Sequence, residues 1–205
     1  MAENGFIAQN ENFAGYDPLA VWADECKKND IKLHIWFETF YIGNENPQLN
    51  PQNILFLNPK WGNKMKKDAD TLYPSKAATE HNGYFLDPAN LEVRDFITGL
   101  IDEIITNYHP DGINLDYIRY PQSVGEMNSW GYTDIARNQF KQKYKIDPVD
   151  IYNNEEQLIN WSNYRRNAVT ETVKSIKSVC DKNKVTLTAV IFPERLSAFT
   201  TKLQD

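Results

Sequence analysis

Asp116 ends a short apolar run, Gly112-Ile113-Asn114-Leu115-Asp116, and Tyr117, Arg119 and Tyr120 follow at once. Side chains alternate across a strand, so Asn114 and Asp116 share one face while Ile113, Leu115 and Tyr117 share the other. The apolar set must meet a core. Asp116 is thereby turned to the opposite face, near the carboxyl end of the strand. The run Lys32 to Tyr41 likewise groups His34, Trp36 and Glu38 opposite Leu33, Ile35 and Phe37. The run Val185 to Phe192 groups Thr186 and Thr188, and a strand regular through Pro193 brings Glu194 to the same face. Three strand exits therefore each offer a carboxylate: Glu38, Asp116 and Glu194.

Paired carboxylates beside stacking aromatics suit glycosidic bond cleavage. One must carry a proton for the departing oxygen. The other must be ionised, to attack the anomeric carbon or to activate water. Separate environments hold the two pKa values apart. Arg119 favours the ionised form of a carboxylate beside it. Tyr41, Tyr120, Trp130 and Tyr132 fall on loops at strand exits, where rings can stack on sugar faces. Plainer roles compete at each position. A carboxylate at a strand end is often a helix cap or a loop acceptor, and His34 suits a satisfied core histidine better than a metal ligand. Asp111-Gly112 lies at the amino end of its strand and reads as turn chemistry. The charge run Lys64-Met65-Lys66-Lys67-Asp68 reads as a solvated face.

The elements that position these residues follow from local signals. Asp17-Pro18 starts a helix, with Leu19, Trp22, Ala23 and Cys26 at helical period. Asp87-Pro88 opens the next, whose apolar face runs through Val93, Phe96, Ile97, Leu100, Ile101, Ile104 and Ile105. Thr133 to Tyr144 forms a third helix. Asn154 and Gln157 form a capping-box signal for the last, which carries Trp161, Val169, Val173, Ile176 and Cys180 inward. Residues 42–86 hold Pro47, Pro51, Pro59 and Pro74, and their Trp61, Tyr73 and Tyr84 predict an ordered, ligand-facing excursion. Helices alternating with strands argue for a parallel sheet with helices outside. Three strands fit either a small three-layer α/β domain or part of a barrel, since a (β/α)8 barrel needs eight.

Composition narrows the function classes. The chain has 205 residues, a net charge of −6 and 13% aromatic residues. An acidic, ring-rich surface argues against nucleic acid, whose binding rests on Lys and Arg, and suits a neutral polar ligand. The mean hydropathy is −0.61, and no run is apolar enough to span a membrane. Met1 to Phe6 has neither the basic nor the apolar region of a signal peptide. Cys26 and Cys180 lie on apolar helix faces and read as buried free thiols, with no metal-ligand spacing around them.

Five motifs in order resemble the glycosyl-hydrolase-like family 10 proteins, formerly a domain of unknown function. They are Gly15-Tyr16-Asp17-Pro18-Leu19, His34-Ile35-Trp36-Phe37, Asn58-Pro59-Lys60-Trp61, Leu86 to Asp95, and Asp111 to Pro121. The resemblance covers nearly the whole chain. It implies an α/β fold of the (β/α)8 TIM-barrel type. The chain would be a partial barrel holding the equivalents of strands three to five, the other strands lying before Met1 and after Asp205. Residues 1–205 then form one domain, with 42–86 as a long βα loop insertion. The resemblance places the strand-four aspartate on Asp116, with Arg119 and Tyr120 beside it. Two positions depart from it: many relatives have asparagine where Glu38 stands, and Pro-Phe-Gly where this chain has Phe192-Pro193-Glu194-Arg195.

The expected function is hydrolysis of glycosidic bonds in a polysaccharide or cell-envelope glycan, by a protein acting outside the cell or in its envelope. Asp116 and Glu194 are the expected catalytic pair. His34, Trp36, Glu38, Tyr41, Arg119, Tyr120 and Trp130 are expected to line the sugar subsite. No metal, cofactor or nucleic-acid partner is expected. Open sheet edges are expected to pair between copies. Two rivals stand beside this reading: a metal-dependent sugar isomerase with His34, Glu38, Asp116 and Glu194 as ligands, and a non-catalytic carbohydrate-binding domain.

Overall fold

A computed structural model describes residues 11–204 of the chain; Met1 to Phe6, read above for a leader, lie outside them. Helix α1 (Pro18–Lys28) leads to strand β1 (His34–Glu38). An excursion follows that contains the single turn α2 (Ile54–Leu57). Then come α3 (Leu91–Tyr108), β2 (Gly112–Asp116), α4 (Asp134–Tyr144), α5 (Glu155–Asn183), β3 (Thr186–Ala189) and α6 (Arg195–Thr201). The three strands form one parallel sheet in the order β1-β2-β3.

Polar side chains set the helix boundaries. Asp17 Oδ1 accepts the Leu19 and Ala20 backbone N–H groups at 3.0 and 3.1 Å, and Asn154 accepts that of Gln157 at 3.1 Å. Asp17 fulfils its cap reading, while of the capping box only the Asn154 half forms, the Gln157 side-chain oxygen having no partner. The expected start of α3 at Asp87-Pro88 is corrected: Asn90 is its cap, accepting from the Glu92 N–H. Asp87 is instead fully buried, where it accepts the Ala89 N–H and the Thr133 hydroxyl. The strand β3 ends earlier than its apolar run. The Phe192 N–H and the Val190 carbonyl are taken by the amide of Gln204, so the chain there follows the C-terminal tail and not the sheet. Helix α6, absent from the expectation, begins at that turn.

The sheet divides its side chains as parity requires. Ile113 and Leu115 are fully buried, in one cluster with Val93, Ile97, Ile101 and Ile105 of α3 and Val169, Ile176 and Cys180 of α5. His34, Trp36, Glu38, Asn114, Asp116, Thr186 and Thr188 lie on the opposite face, exposed or half-buried. Parallel sheets are ordinarily covered on both faces. The uncovered face here is the one a closed barrel turns inward.

The excursion over residues 42–86 is ordered, and its stretch 61–66 is buried while Leu49, Leu72 and Tyr73 stand exposed. Isolated bridges join Tyr41 to Phe85, Gly62 to Leu86 and Met65 to Trp130. Trp61 packs inside and its Nε1 donates to Glu92 at 2.7 Å, so it faces core and not ligand. The expected solvated charge run is also corrected. Lys64 and Lys66 are each 5% exposed, their ammonium groups donating to the Thr71 carbonyl and the Glu126 carboxylate. Burying a lysine is tolerable only with such partners. Cys26 and Cys180 are buried free thiols, as expected. Among the described residues no helix is long and apolar enough to cross a membrane.

Candidate active site

Strand register brings two carboxylates together. Glu38 of β1 is the register partner of Asp116 of β2, and both side chains emerge on the uncovered face. Their surroundings differ. Asp116 Oδ1 accepts the Tyr117 backbone N–H at 2.7 Å, and Oδ2 accepts the indole Nε1–H of Trp36 at 3.0 Å. Glu38 accepts no hydrogen bond among the described residues. Partial desolvation, then the charge of Asp116, raise the Glu38 pKa above its ordinary value, while His81 opposes them. Trp36 is 66% exposed, an unusual position for so large a ring. Its indole is mostly open to solvent while its N–H holds the aspartate.

The backbone turns sharply just past Asp116. Tyr117 has φ 49°, the left-handed region that a bulky residue rarely enters. Its ring is held on two sides: it stacks on Tyr41 at 4.8 Å between centroids, and the Arg119 guanidinium lies 4.9 Å from its centroid. Arg119 itself points away from Asp116. It forks onto Glu80, Nη1 to Oε1 at 3.0 Å and Nη2 to Oε2 at 3.2 Å, with both residues under a tenth exposed. Lys202 Nζ reaches the same Glu80 Oε1 at 2.9 Å. Burial raises the Glu80 pKa, but the two cations outweigh it and leave the group below its ordinary value. Lys202 is shifted down, by burial first, against the pull of Glu80. The opposite senses agree with the count: two cations share one carboxylate, and Lys202 is the surplus charge.

Several expected subsite residues are elsewhere. Arg119 serves Glu80, so it is not the cation that keeps Asp116 ionised. Tyr120 is fully buried, and burial together with the nearby Asp87 charge pushes its hydroxyl pKa well up. Trp130 is 2% exposed, its Nε1 donating to the Gln122 carbonyl, and Tyr132 is 3% exposed. These three rings are core: Trp130 bridges to Met65, the Gly131 and Tyr132 N–H groups bond to the Lys64 carbonyl, and Arg165 of α5 donates to the Trp130 carbonyl. His34 opens β1 and pairs in register with Gly112, at the far end of the strand from Glu38. Four steps along a strand separate them by about 13 Å. Glu194 is no strand-exit side chain either. It caps α6, accepting the Leu196 and Ser197 N–H groups at 3.0 and 2.5 Å, because β3 stops at Ala189. Asp111, expected in turn chemistry, ties the start of β1 through the Leu33 N–H and Lys32.

The ligand set of the metal-dependent rival is therefore not assembled: Glu38 and Asp116 are adjacent, but His34 and Glu194 are not with them. Among the described residues, no three His, Cys, Asp or Glu side chains group closely enough to hold a metal ion. What the fold does gather is Trp36, Glu38, Tyr41, Asp116 and Tyr117, with His81 nearby. A cleft of about 670 Å³ along the free edge of β1 takes in Trp36, Glu38 and Tyr41 but neither Asp116 nor Tyr117, and reaches Phe96, Ile97 and Leu100 of α3.

Glu80, His81 and Lys202 escaped the sequence reading, while Tyr117, read on the face of Ile113 and Leu115, packs partly against that core beside Tyr41. One signal for the first two was present. His81 and Asn82 both have positive φ, and the Gly83 N–H bonds to the Glu80 carbonyl at 2.9 Å. His81-Asn82 before Gly83 is thus a turn of the primed type, which Asn and Gly favour. It sends Glu80 inward and leaves His81 exposed. Gly83 is needed for a second reason: a Cβ there would sit 2.0 Å from the Tyr41 ring. No local signal marks Lys202.

Comparison with known proteins shows the family and the fold. The family model described as Glycosyl hydrolase-like 10 matches residues 4–205. The chain is 29% identical over 180 residues to the glycosyl hydrolase DigH of Escherichia coli (strain K12), covering 84% of this chain and 36% of DigH. It is 28% identical over 163 residues to the glycosyl hydrolase YngK of Bacillus subtilis (strain 168), covering 79% of this chain and 26% of YngK. The chain thus spans between a quarter and about a third of the length of these relatives. Among solved structures it resembles an α-galactosidase from Lactobacillus brevis, with a TM-score of 0.51, 14% identity, and coverage of 90% of this chain and 19% of that one. It also resembles α-L-fucosidase isoenzyme 2 from Paenibacillus thiaminolyticus, with a TM-score of 0.50, 17% identity, and coverage of 85% and 23%. The fold is that of part of a TIM barrel, three consecutive parallel strands with their helices on one side.

Proposed function

The chain belongs to the Glycosyl hydrolase-like 10 family, and from that membership we propose that it cleaves glycosidic bonds by carboxylate chemistry centred on Asp116. One observation carries the reading. Asp116 stands at the exit of the middle strand, on the uncovered face, with one oxygen held by the Trp36 indole and the other by the Tyr117 N–H. Two N–H donors fix the direction of the carboxylate. Such a group can attack an anomeric carbon or stabilise the positive charge that develops there. The exposed ring of Trp36 supplies an apolar platform for a sugar.

The substrate in this reading is a polysaccharide or a glycan of the cell envelope, met outside the cytoplasm. The acidic net charge of −6 supports a neutral sugar over a phosphate-rich polymer. Asp116→Asn preserves shape and one of the two N–H contacts, removes the charge, and turns an amide NH2 toward the other donor. Assayed for reducing-end release from a panel of polysaccharides, in the polypeptide as its source organism makes it, this variant should lose at least a hundredfold in kcat with its melting temperature little changed. Trp36 also favours a second reading, a domain that binds sugar without cleaving it. Undiminished hydrolysis in Asp116→Asn would overturn the first reading, and glycan binding without hydrolysis by the unmodified protein would establish the second.

A further inference from the structure

We propose that Glu38, and not Glu194, is the second carboxylate of this site, donating and accepting the proton in a double displacement that retains anomeric configuration. The inference rests on the assignment of Asp116 above and adds its partner, its mechanism and its stereochemistry. Glu38 and Asp116 are register partners on adjacent parallel strands, with side chains on one face. Adjacent strands lie about 4.8 Å apart. Carboxyl groups rising side by side from such positions fall near the separation of about 5–5.5 Å that marks retaining enzymes, and short of the roughly 6.5–9.5 Å an inverting pair needs for an intervening water.

The two groups are also built unequally, as the two roles demand. Both oxygens of Asp116 are engaged by N–H donors, and neither donor is a cation. Glu38 has no donor among the described residues, so nothing stabilises its ionised form by hydrogen bonding, and its neighbour's negative charge opposes ionisation. Its pKa is correspondingly raised, by desolvation before charge. Glu194, by contrast, spends both oxygens on the first turn of α6. The Tyr41 hydroxyl pKa is raised by burial and then by the Glu38 charge, which sets the ring beside the same carboxylate.

The sequence of steps balances. An Asp116 oxygen forms a bond to the anomeric carbon as the bond to the leaving oxygen breaks. The electron pair of that bond stays on the leaving oxygen, which takes the proton of Glu38. Water then attacks the anomeric carbon and yields a proton to the Glu38 carboxylate. The ester bond to Asp116 breaks and its electron pair returns to the aspartate. The sugar leaves with its original configuration, and both side chains are restored.

Glu38→Gln tests the proposal, because Glu38 is exposed and its replacement should leave the fold intact. On a panel of nitrophenyl glycosides, in the polypeptide as its source organism makes it, kcat should fall about 10²- to 10⁴-fold. Sodium azide should restore turnover and yield a glycosyl azide of unchanged configuration. Full activity in Glu38→Gln with activity lost in Asp116→Asn would overturn this inference and leave the Asp116 reading standing. Hydrolysis that survives in both variants, or its absence from the unmodified protein, would overturn both. A second measurement needs no substrate. In a carbon-13 titration of the side-chain carboxyls, Glu38 should titrate above an ordinary glutamate and shift down in Asp116→Asn. A midpoint that does not respond to that change would show the two groups uncoupled and would also overturn the pairing.

Discussion

Arg119 forks onto Glu80 across 39 residues of sequence, Nη1 to Oε1 at 3.0 Å and Nη2 to Oε2 at 3.2 Å, and the pair is buried. With Lys202 on the same carboxylate, this cluster ties the excursion, the exit of β2 and the C-terminal tail into one body. Its guanidinium also backs the ring of Tyr117, next to Asp116. Removing one partner of a buried pair leaves an uncompensated charge, which costs about 3–5 kcal/mol. Glu80→Gln should cost a sum of that order, read as a fall in unfolding free energy in urea. Because the Glu80 pKa is held below its unfolded value, its contribution is present above the unfolded pKa and is lost as pH falls through the folded one. The variant should therefore lose stability at neutral pH and show a flatter acid limb.

The Trp36 indole contributes one N–H to Asp116 and lies otherwise in solvent. Trp36→Phe keeps an aromatic face and deletes the donor. A hydrogen bond to a charged group is worth about 1.5–3 kcal/mol, so kcat should fall about 10- to 100-fold if Asp116 gains charge stabilisation from it at the transition state. The melting temperature should be unmoved. Equal kcat in the variant and its parent, measured at saturating substrate, would show that the contact orients nothing.

Asp87 is fully buried, and desolvation raises its pKa to about 6 despite the Thr133 hydroxyl and the Ala89 N–H. The sign is the reverse of that for Glu80. A folded pKa above the unfolded one gives stability that is full below the unfolded pKa and fades as pH rises through the folded value. Between about pH 4 and 7 this group alone withdraws about 3 kcal/mol, at 1.36 kcal/mol for each pKa unit. Asp87→Asn should remove that dependence. Urea melts at acid and neutral pH should converge for the variant, and unchanged slopes would rule Asp87 out as the source.

The free edge of β1 and the uncovered sheet face expose Trp36, while Ile191 and Leu196 stand exposed beyond β3. Unpaired strand edges are templates for another chain. Residues 1–205 produced alone should self-associate, with the sedimentation coefficient rising with concentration. A single monomeric species that melts cooperatively would contradict this.

The local part of this fold was readable. Asp17, Asn154 and Thr133 stand at helix starts because a short oxygen-bearing side chain satisfies N–H groups two or three residues on. The face of Asp116 followed from the pleat alone, since Ile113 and Leu115 had to meet α3 and α5. Glu194 misled for a reason of the same kind: strict alternation was extended past Ala189, where the ladder had given way to contacts with Gln204. The apolar character of Val190, Ile191 and Phe192 does not reveal that change, because periodicity is blind to which backbone groups are already taken.

The sequence by itself determined which side chains of each strand share a face and that Asp116 closes the middle strand on the open one. Backbone geometry over a few residues is enough for that. Only the tertiary structure decided that Glu38 is the neighbour of Asp116, that Arg119 belongs to Glu80, and that Tyr120 and Trp130 are core. Those relations join residues tens of positions apart. A buried charge must find whatever opposite charge the packing brings near, and strand register, set by the whole sheet, selects which two carboxylates meet.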